Sequence, residues 1–354
     1  MIKIYLSYLF KKINLSYLPI KLWIELTNHC NLKCNLCPNQ KIPSSDKGYM
    51  DWDTFKKIID EAEGKVRDLN LFHRGESFLH PRLFDMIEYA SSKGFITKIH
   101  TNATLITPKN IEKILDSGLS YISFSFDGYS KSTYEKNRGD SSYEKTLNGI
   151  IEFLKAKKEK HCTKPYTVLQ IMEYDNNLSK RDFKIQRKNF IRKLKSLPLD
   201  RFVVRTPHNW GGLITLEQKS EYENDTEKDK YQDKKLKHKI PKPKLACTFP
   251  WYALVILYDG TVLPCPQDFN ARLTIGNIKK QSLEEIFNGK SLKELRFKFK
   301  NRDIENLKPC VSCDRIYRKT FLGLPTDYLF NFIRDNILFL KIFSFTHISC
   351  HLIY

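Results

Sequence analysis

The stretch His29–Gln40, HCNLKCNLCPNQ, decides how the chain is read. It carries Cys30, Cys34 and Cys37 at the spacing C-x3-C-x2-C, which a chain of this composition would produce by chance roughly 0.006 times. Three thiolates can hold three irons of a 4Fe–4S cube and leave the fourth iron open to a ligand. A structural zinc site would instead be closed by four ligands, and His29 beside the first cysteine would supply the fourth. The residues alone leave both readings open.

Working outward, a β-like run, Lys21 to Leu26, precedes this stretch. Five more follow at Val66 to Phe72, Phe95 to Thr101, Ser120 to Phe126, Tyr166 to Glu173 and Arg201 to Thr206, alternating with helical patterns. Such alternation predicts an α/β fold with a parallel sheet. Asp51 or Asp53 can cap a helix whose Phe55, Ile58, Ile59 and Ala62 share a face, and the next helix ends at Gly94. Thr107 and Pro108 open a third that stops at Gly118.

The 354 residues, 41% of them hydrophobic, exclude a disordered or fibrous chain. Nine cysteines are too few for a disulfide scaffold, and their odd number points to metal ligation in a reducing compartment. The net charge of +20 is spread along the chain without a basic stripe, so a solvated Lys-rich surface is the favoured reading over nucleic-acid binding. Lys3, Lys11 and Lys12 interrupt the apolar N-terminus, which makes a poor signal peptide, and the protein is expected to be cytoplasmic. Arg334, Asp335 and Lys341 break up the Phe-rich tail, so a packed helix is preferred there, with contact to a membrane surface as the second reading.

The order of motifs after the strands is similar to that of the radical S-adenosylmethionine superfamily. Its C-x3-C-x2-C motif follows the first strand of a partial (β/α)6 TIM-like barrel. The resemblance implies that Cys30, Cys34 and Cys37 bind a 4Fe–4S cluster whose open iron chelates S-adenosylmethionine. Leu36 takes the usually aromatic place near the adenine. In HRGESFLHP, Gly75 and Glu76 match the Gly-Gly-Glu motif that meets the cofactor's amino group, with Arg74 in place of the first glycine. TNATLIT has Ala103 where relatives carry glycine, and SFSFDG offers Ser125 as a cofactor contact with Asp127 near it. In YEKNRG, Arg138 takes the place of a basic residue that pairs with the cofactor carboxylate, and HNWGG resembles a stretch lining the substrate side. All follow strand ends, as an active site at the C-terminal mouth of a barrel requires.

A second set comprises Cys247, Cys265, Cys310 and Cys313, with Gly260 five residues before Cys265. Taken alone, two such pairs are as compatible with a zinc ribbon as with an iron–sulfur cluster. The pattern is similar to the SPASM auxiliary-cluster domain in its shortened Twitch form, which implies a second 4Fe–4S cluster closed by four thiolates and suited to electron transfer. Asp259 and Gly260 would turn the hairpin that offers Cys265. Cys162 and Cys350 receive no function.

The organisation expected is an N-terminal extension (1–20), the barrel (21–215), a charged linker or surface excursion (216–244), the small C-terminal auxiliary-cluster domain (245–320) and a helical aromatic tail (321–354). The resemblance implies reductive cleavage of S-adenosylmethionine to a 5′-deoxyadenosyl radical that abstracts a substrate hydrogen. Net oxidation of a small molecule such as a sugar or cyclitol leads, since the single closed auxiliary cluster is similar in architecture to a radical dehydrogenase of an amino-cyclitol. An external one-electron donor such as a flavodoxin or ferredoxin would be its partner. A peptide-modifying maturase is the second reading, and a basic nucleic-acid-binding protein with structural zinc sites comes from another class. No catalytic acid or base is singled out.

Overall fold

The structure is a computed structural model that describes residues 2–173, 178–205, 208–214, 247–322 and 324–326. The charged linker and nearly all of the aromatic tail lie outside the described residues. Six parallel strands are the ones read from the sequence: β1 (Lys21–Ile24), β3 (Asp68–Asn70), β4 (Ile96–Thr101), β5 (Tyr121–Asp127), β7 (Tyr166–Met172) and β8 (Arg201–Arg205). They lie in chain order, each parallel to the next, with a βα crossover between neighbours. Each begins and ends within the run read from the sequence, except that β5 extends one residue further, to Asp127. Two short strands, β2 (Lys33–Cys34) and β6 (Arg138–Gly139), form a separate antiparallel pair.

The sheet does not end at β1. Strand β9 (Ala253–Ile256) pairs with it in parallel register from Lys21↔Ala253 to Ile24↔Ile256. β10 (Thr261–Leu263) and β11 (Gly276–Asn277) then continue antiparallel to make nine strands. The cysteine-bearing C-terminal segment is therefore built onto the first edge of the barrel sheet.

Strand alternation sorts the faces. On β5, Ile122, Phe124 and Phe126 turn to the helices: Phe124 packs edge-on against Phe153 of α6 (Tyr143–Glu159), and Phe126 stacks on Tyr134 of α5 (Lys131–Asn137) at 4.2 Å between centroids. Each such ring buried contributes about 1.5–3 kcal/mol of hydrophobic stabilisation. Ser123, Ser125 and Asp127 alternate onto the opposite, inner face. Helix α2 (Trp52–Ala62) is capped by Asp51, whose side chain accepts from Thr54 N, and α4 (Pro108–Asp116) by Thr107, which settles the choice between Asp51 and Asp53. Helix α1 (Ile2–Leu9) lies against the turn before β9, with Tyr8 edge-on to Trp251 at 5.6 Å.

Candidate cofactor and cluster sites

The chain leaves β1 into the loop that holds Cys30, Cys34 and Cys37. Two ties fix this loop. The β2–β6 pairing sets Cys34 opposite Arg138, and Asn39 donates to the carbonyls of Asn28 and Arg74 at 2.8 and 2.7 Å. The three thiols stand close enough that ionising one opposes the next. Burial first, then Cys34 and Cys30, pushes Cys37 up to about 12, while burial raises Cys34 to about 11 against the pull of Arg138. Protonated thiols of this kind are poor nucleophiles, whereas a coordinating metal deprotonates them outright. Among the described residues, no three His, Cys, Asp or Glu side chains converge on a point where one metal ion would sit. Three neighbouring thiols on one loop are the donor set that a four-iron cube with one open position takes, so the residues fit the cluster. The His29 ring stacks on Tyr49 at 4.7 Å.

Gly75 explains why a glycine precedes Glu76. A Cβ there would lie 2.4 Å from Thr27 O and 2.5 Å from His29 O, so only glycine lets the loop after β3 press against the chain entering the cysteine loop. Glu76 N then donates to His29 O at 2.8 Å. The Glu76 carboxylate is buried and accepts from Thr101 Oγ1 at 2.9 Å, Asn102 N at 2.7 Å and Phe78 N at 3.2 Å. Burial raises its pKa while these donors oppose the rise. Ala103, in the glycine place of the neighbouring loop, adopts the left-handed conformation that a glycine would, with φ 64°.

Arg74 turns away from Glu76. Its guanidinium grips Glu25, fully buried at the end of β1, through Nε at 2.7 Å and Nη2 at 2.8 Å, and donates from Nη1 to Phe269 O at 3.2 Å. His73 approaches the same carboxylate at 3.3 Å through Nδ1 and Pro266 O at 3.1 Å through Nε2. Burial works to raise the Glu25 pKa, but hydrogen bonds from Arg74 and His73 outweigh it and hold the carboxyl down at about 2. The departure from the family motif thus ties the barrel to the loop that follows Cys265.

Arg138 is buried and donates from Nε to Asp127 Oδ2 at 2.9 Å, with Glu76 and the first cysteines within electrostatic reach. Leu36 is half-buried in the cysteine loop. The Ser125 hydroxyl bonds His100 Nε2 at 2.5 Å, and that bond belongs to a network absent from the sequence reading. Gln170 meets Ser123 Oγ at 2.5 Å and His100 Nδ1 at 3.4 Å, and Arg205 Nε donates to Gln170 Oε1 at 2.9 Å. Burial first, then Arg205 and Arg138, drives the His100 pKa down to about 3. These residues occupy the inner face of β4, β5, β7 and β8. Only Ser123, Ser125 and Asp127 on β5 carried a sequence signal, as polar positions at period two in an otherwise apolar strand.

Cys247, Cys265, Cys310 and Cys313 come together beside β9 and β10. Burial and the neighbouring thiols raise Cys265 and Cys310 well above the usual thiol range, and Cys313 reaches about 12 through burial and Asp314. Gln267 N donates to Cys265 Sγ at 3.3 Å. Four mutually opposing buried thiols suit a closed cluster by the same reasoning. HNWGG, expected on the substrate side, is placed against this set. Asn209 N donates to Asp314 Oδ2 at 3.0 Å and Asn209 Nδ2 to Ser312 O at 2.7 Å, and a Cβ on Gly212 would lie 2.5 Å from Ser312 Cβ.

This architecture matches known proteins. The Radical SAM superfamily profile matches residues 24–175, and the profile of the iron-sulfur cluster-binding domain SPASM matches residues 247–314. The chain belongs to the radical S-adenosylmethionine superfamily and carries a SPASM domain, so its cofactors are a 4Fe–4S cluster, S-adenosylmethionine and an auxiliary iron–sulfur cluster. It is 26% identical over 312 residues, 79% of this chain and 84% of the other, to the tungsten-containing aldehyde ferredoxin oxidoreductase cofactor-modifying protein of Pyrococcus furiosus. An AdoMet-dependent heme synthase of Methanosarcina barkeri is 33% identical over 133 residues, 37% of this chain and 38% of that one. Among solved structures, BtrN in complex with AdoMet and 2-DOIA superposes with a TM-score of 0.55 at 18% identity, covering 85% of this chain and 94% of that one. Streptococcus suis SuiB bound to its precursor peptide SuiA gives 0.59 at 17%, covering 86% and 71%. These likenesses show the fold. No helix among the described residues is long and apolar enough to cross a membrane.

Proposed function

We propose that this chain oxidises a small molecule by hydrogen abstraction at the mouth of its partial barrel, with a polyhydroxylated or cofactor-like compound as substrate. When bound, the cofactors supply a one-electron reduction of S-adenosylmethionine, a hydrogen-abstracting radical and an acceptor for the electron the substrate gives up. The chain's own residues do the rest. Cys30, Cys34 and Cys37 provide three thiolates and leave one iron position for S-adenosylmethionine. Glu76, held by three donors, meets its ammonium group, Arg138 its carboxylate, Ser125 its sugar and Leu36 its adenine, with Gly75 keeping the backbone close. Cys247, Cys265, Cys310 and Cys313 close the auxiliary cluster. The inner face, with His100 neutral and bonded to Ser125, Gln170 and Arg205, offers hydroxyl, amide and guanidinium groups to a polar substrate.

The observation that carries this reading is the Glu25–Arg74–His73 junction, which joins the Gly75–Glu76 loop to the loop after Cys265 and so builds the two cofactor sites as one unit. The relative from Pyrococcus furiosus, similar over most of both chains, modifies a cofactor, which supports a small-molecule substrate. A peptide substrate is the second reading, favoured by the 27% identity over 160 residues to a PqqA peptide cyclase of Bradyrhizobium diazoefficiens.

The test uses the reconstituted protein under anaerobic conditions with dithionite and S-adenosylmethionine, following 5′-deoxyadenosine. A rise of about tenfold or more with a sugar, cyclitol or cofactor precursor and none with peptides is expected. The reverse pattern would establish the maturase reading. Iron content of about eight per chain, falling to about four in a Cys30, Cys34 and Cys37 to Ala triple variant, checks the ligand assignment, and zinc in place of iron would overturn it.

A further inference from the structure

Six of the largest exposed apolar side chains gather on two segments far apart in sequence. Ile2, Leu6, Leu9 and Phe10 recur at i, i+4, i+7 and i+8 along α1 and the residue after it, so they form one stripe on the face opposite buried Ser7 and Tyr8. Phe321 ends β12 (Thr320–Phe321), which pairs with β13 (Leu324–Pro325), and Leu322 follows it in the turn. The Tyr5 hydroxyl donates to Leu322 O at 2.8 Å and joins the two segments. Ile2 is 76% exposed, Phe10 65%, Phe321 56% and Leu322 72%. A soluble surface seldom leaves such a group of aromatic and aliphatic side chains in water without a use.

The charge around this face indicates what covers it. Residues 1–24 contain Lys3, Lys11, Lys12 and Lys21 and no Asp or Glu, and Arg315, Arg318 and Lys319 face a single acid, Asp314, in residues 314–326. Lys3, Lys12 and Lys319 are exposed, and none is paired with a carboxylate among the described residues. Apolar side chains set among exposed lysines are the pattern of a surface that dips into the headgroup region of an anionic bilayer, the apolar groups entering the acyl boundary and the ammonium groups meeting lipid phosphates. A protein partner that buries the stripe would need an acidic rim, and a second copy of this chain would oppose lysine to lysine. We propose that the face formed by α1 and the β12–β13 turn docks the enzyme on an anionic lipid surface. The contact is peripheral, since no described helix spans a bilayer, and it is independent of which substrate the barrel takes.

Vesicle co-sedimentation of the reconstituted holoprotein tests this, with phosphatidylcholine alone and with about one-third phosphatidylglycerol. Binding to the anionic vesicles at least about tenfold tighter than to the neutral ones is expected, weakening as salt rises. A Phe10→Ser, Leu322→Ser double variant and a Lys3→Gln, Lys12→Gln, Lys319→Gln triple variant should each lose about tenfold or more, with iron content and 5′-deoxyadenosine formation unchanged. Absence of vesicle binding, or binding that both variants retain, overturns the proposal. So does a shift from dimer to monomer in the double variant without vesicle binding, which would assign the face to a second copy. A fall in melting temperature of the double variant would show the face already covered by the chain itself, and overturns it equally.

Discussion

At the scale of single residues, the two positions where this chain leaves or keeps its family's glycines carry the most weight. Arg74 cannot be exchanged for a neutral side chain without stranding Glu25, which has no exposed surface and, among the described residues, no other lysine or arginine paired with it. Removing one partner of a buried ion pair costs about 3–5 kcal/mol, so Arg74→Met should lower the unfolding free energy by that amount in anaerobic denaturant titration. Arg74→Lys keeps the charge but loses the two-pronged grip and should fall between. A loss under about 1 kcal/mol in Arg74→Met would mean that His73 alone satisfies Glu25. Gly75 and Gly212 each sit where a Cβ would strike fixed atoms, but on opposite sites. Gly75→Ala should cost the first cluster, leaving about four irons per chain, and Gly212→Ala should cost the auxiliary one. Cluster spectra of the two variants would distinguish which set is lost, and equal losses in both would show that neither glycine acts locally.

At the scale of elements, the strands and helix caps were legible because their signals are local. The alternation of Tyr121 to Asp127 reads as a strand facing two environments, and Asp51 and Thr107 cap as short-range chemistry demands. The inner-face network was not legible, because nothing in the sequence of β4 says that His100 meets Ser125 and Gln170 from other strands. Its consequence is measurable. Burial and the nearby guanidinium groups keep His100 neutral down to about pH 3, whereas in the unfolded chain it takes a proton near the ordinary 6.5. Between those values the unfolded state binds the extra proton, so acidification removes stability, with a slope of up to about 1.4 kcal/mol per pH unit. His100→Gln should flatten the loss between pH 6.5 and 4.5 relative to the native chain, read from denaturant midpoints at each pH. An unchanged slope would mean that His100 titrates normally in the folded protein. The packing partners of HNWGG were hidden for the same long-range reason: its glycines are set by Ser312 and Pro309, about a hundred residues on.

At the scale of the molecule, the sequence suggested a barrel followed by a separate small unit, and cysteine spacing alone could not show that the second would lend a strand to the first. Strand pairing across more than two hundred residues depends on which sheet edge is left bare, and β1 offers that edge once β3 has taken its other side. Phe249, Trp251, Val255 and Leu263 then join the same apolar core as Leu22 and Ile24. The unfolding of such a chain should be a single event, because exposing β9 also exposes β1 and the buried Glu25 behind it. Far-UV circular dichroism, tryptophan fluorescence and auxiliary-cluster absorbance should therefore share one midpoint in denaturant. Cys265→Ser with Cys310→Ser, which removes two auxiliary ligands, should lower that midpoint for the barrel signals as well, since metal binding to the folded state stabilises everything that folds with it. If the barrel signals kept their midpoint while the auxiliary signal fell away, the β1–β9 pairing would be a contact between independently stable parts, and the electron-accepting site would be free to move relative to the radical-generating one.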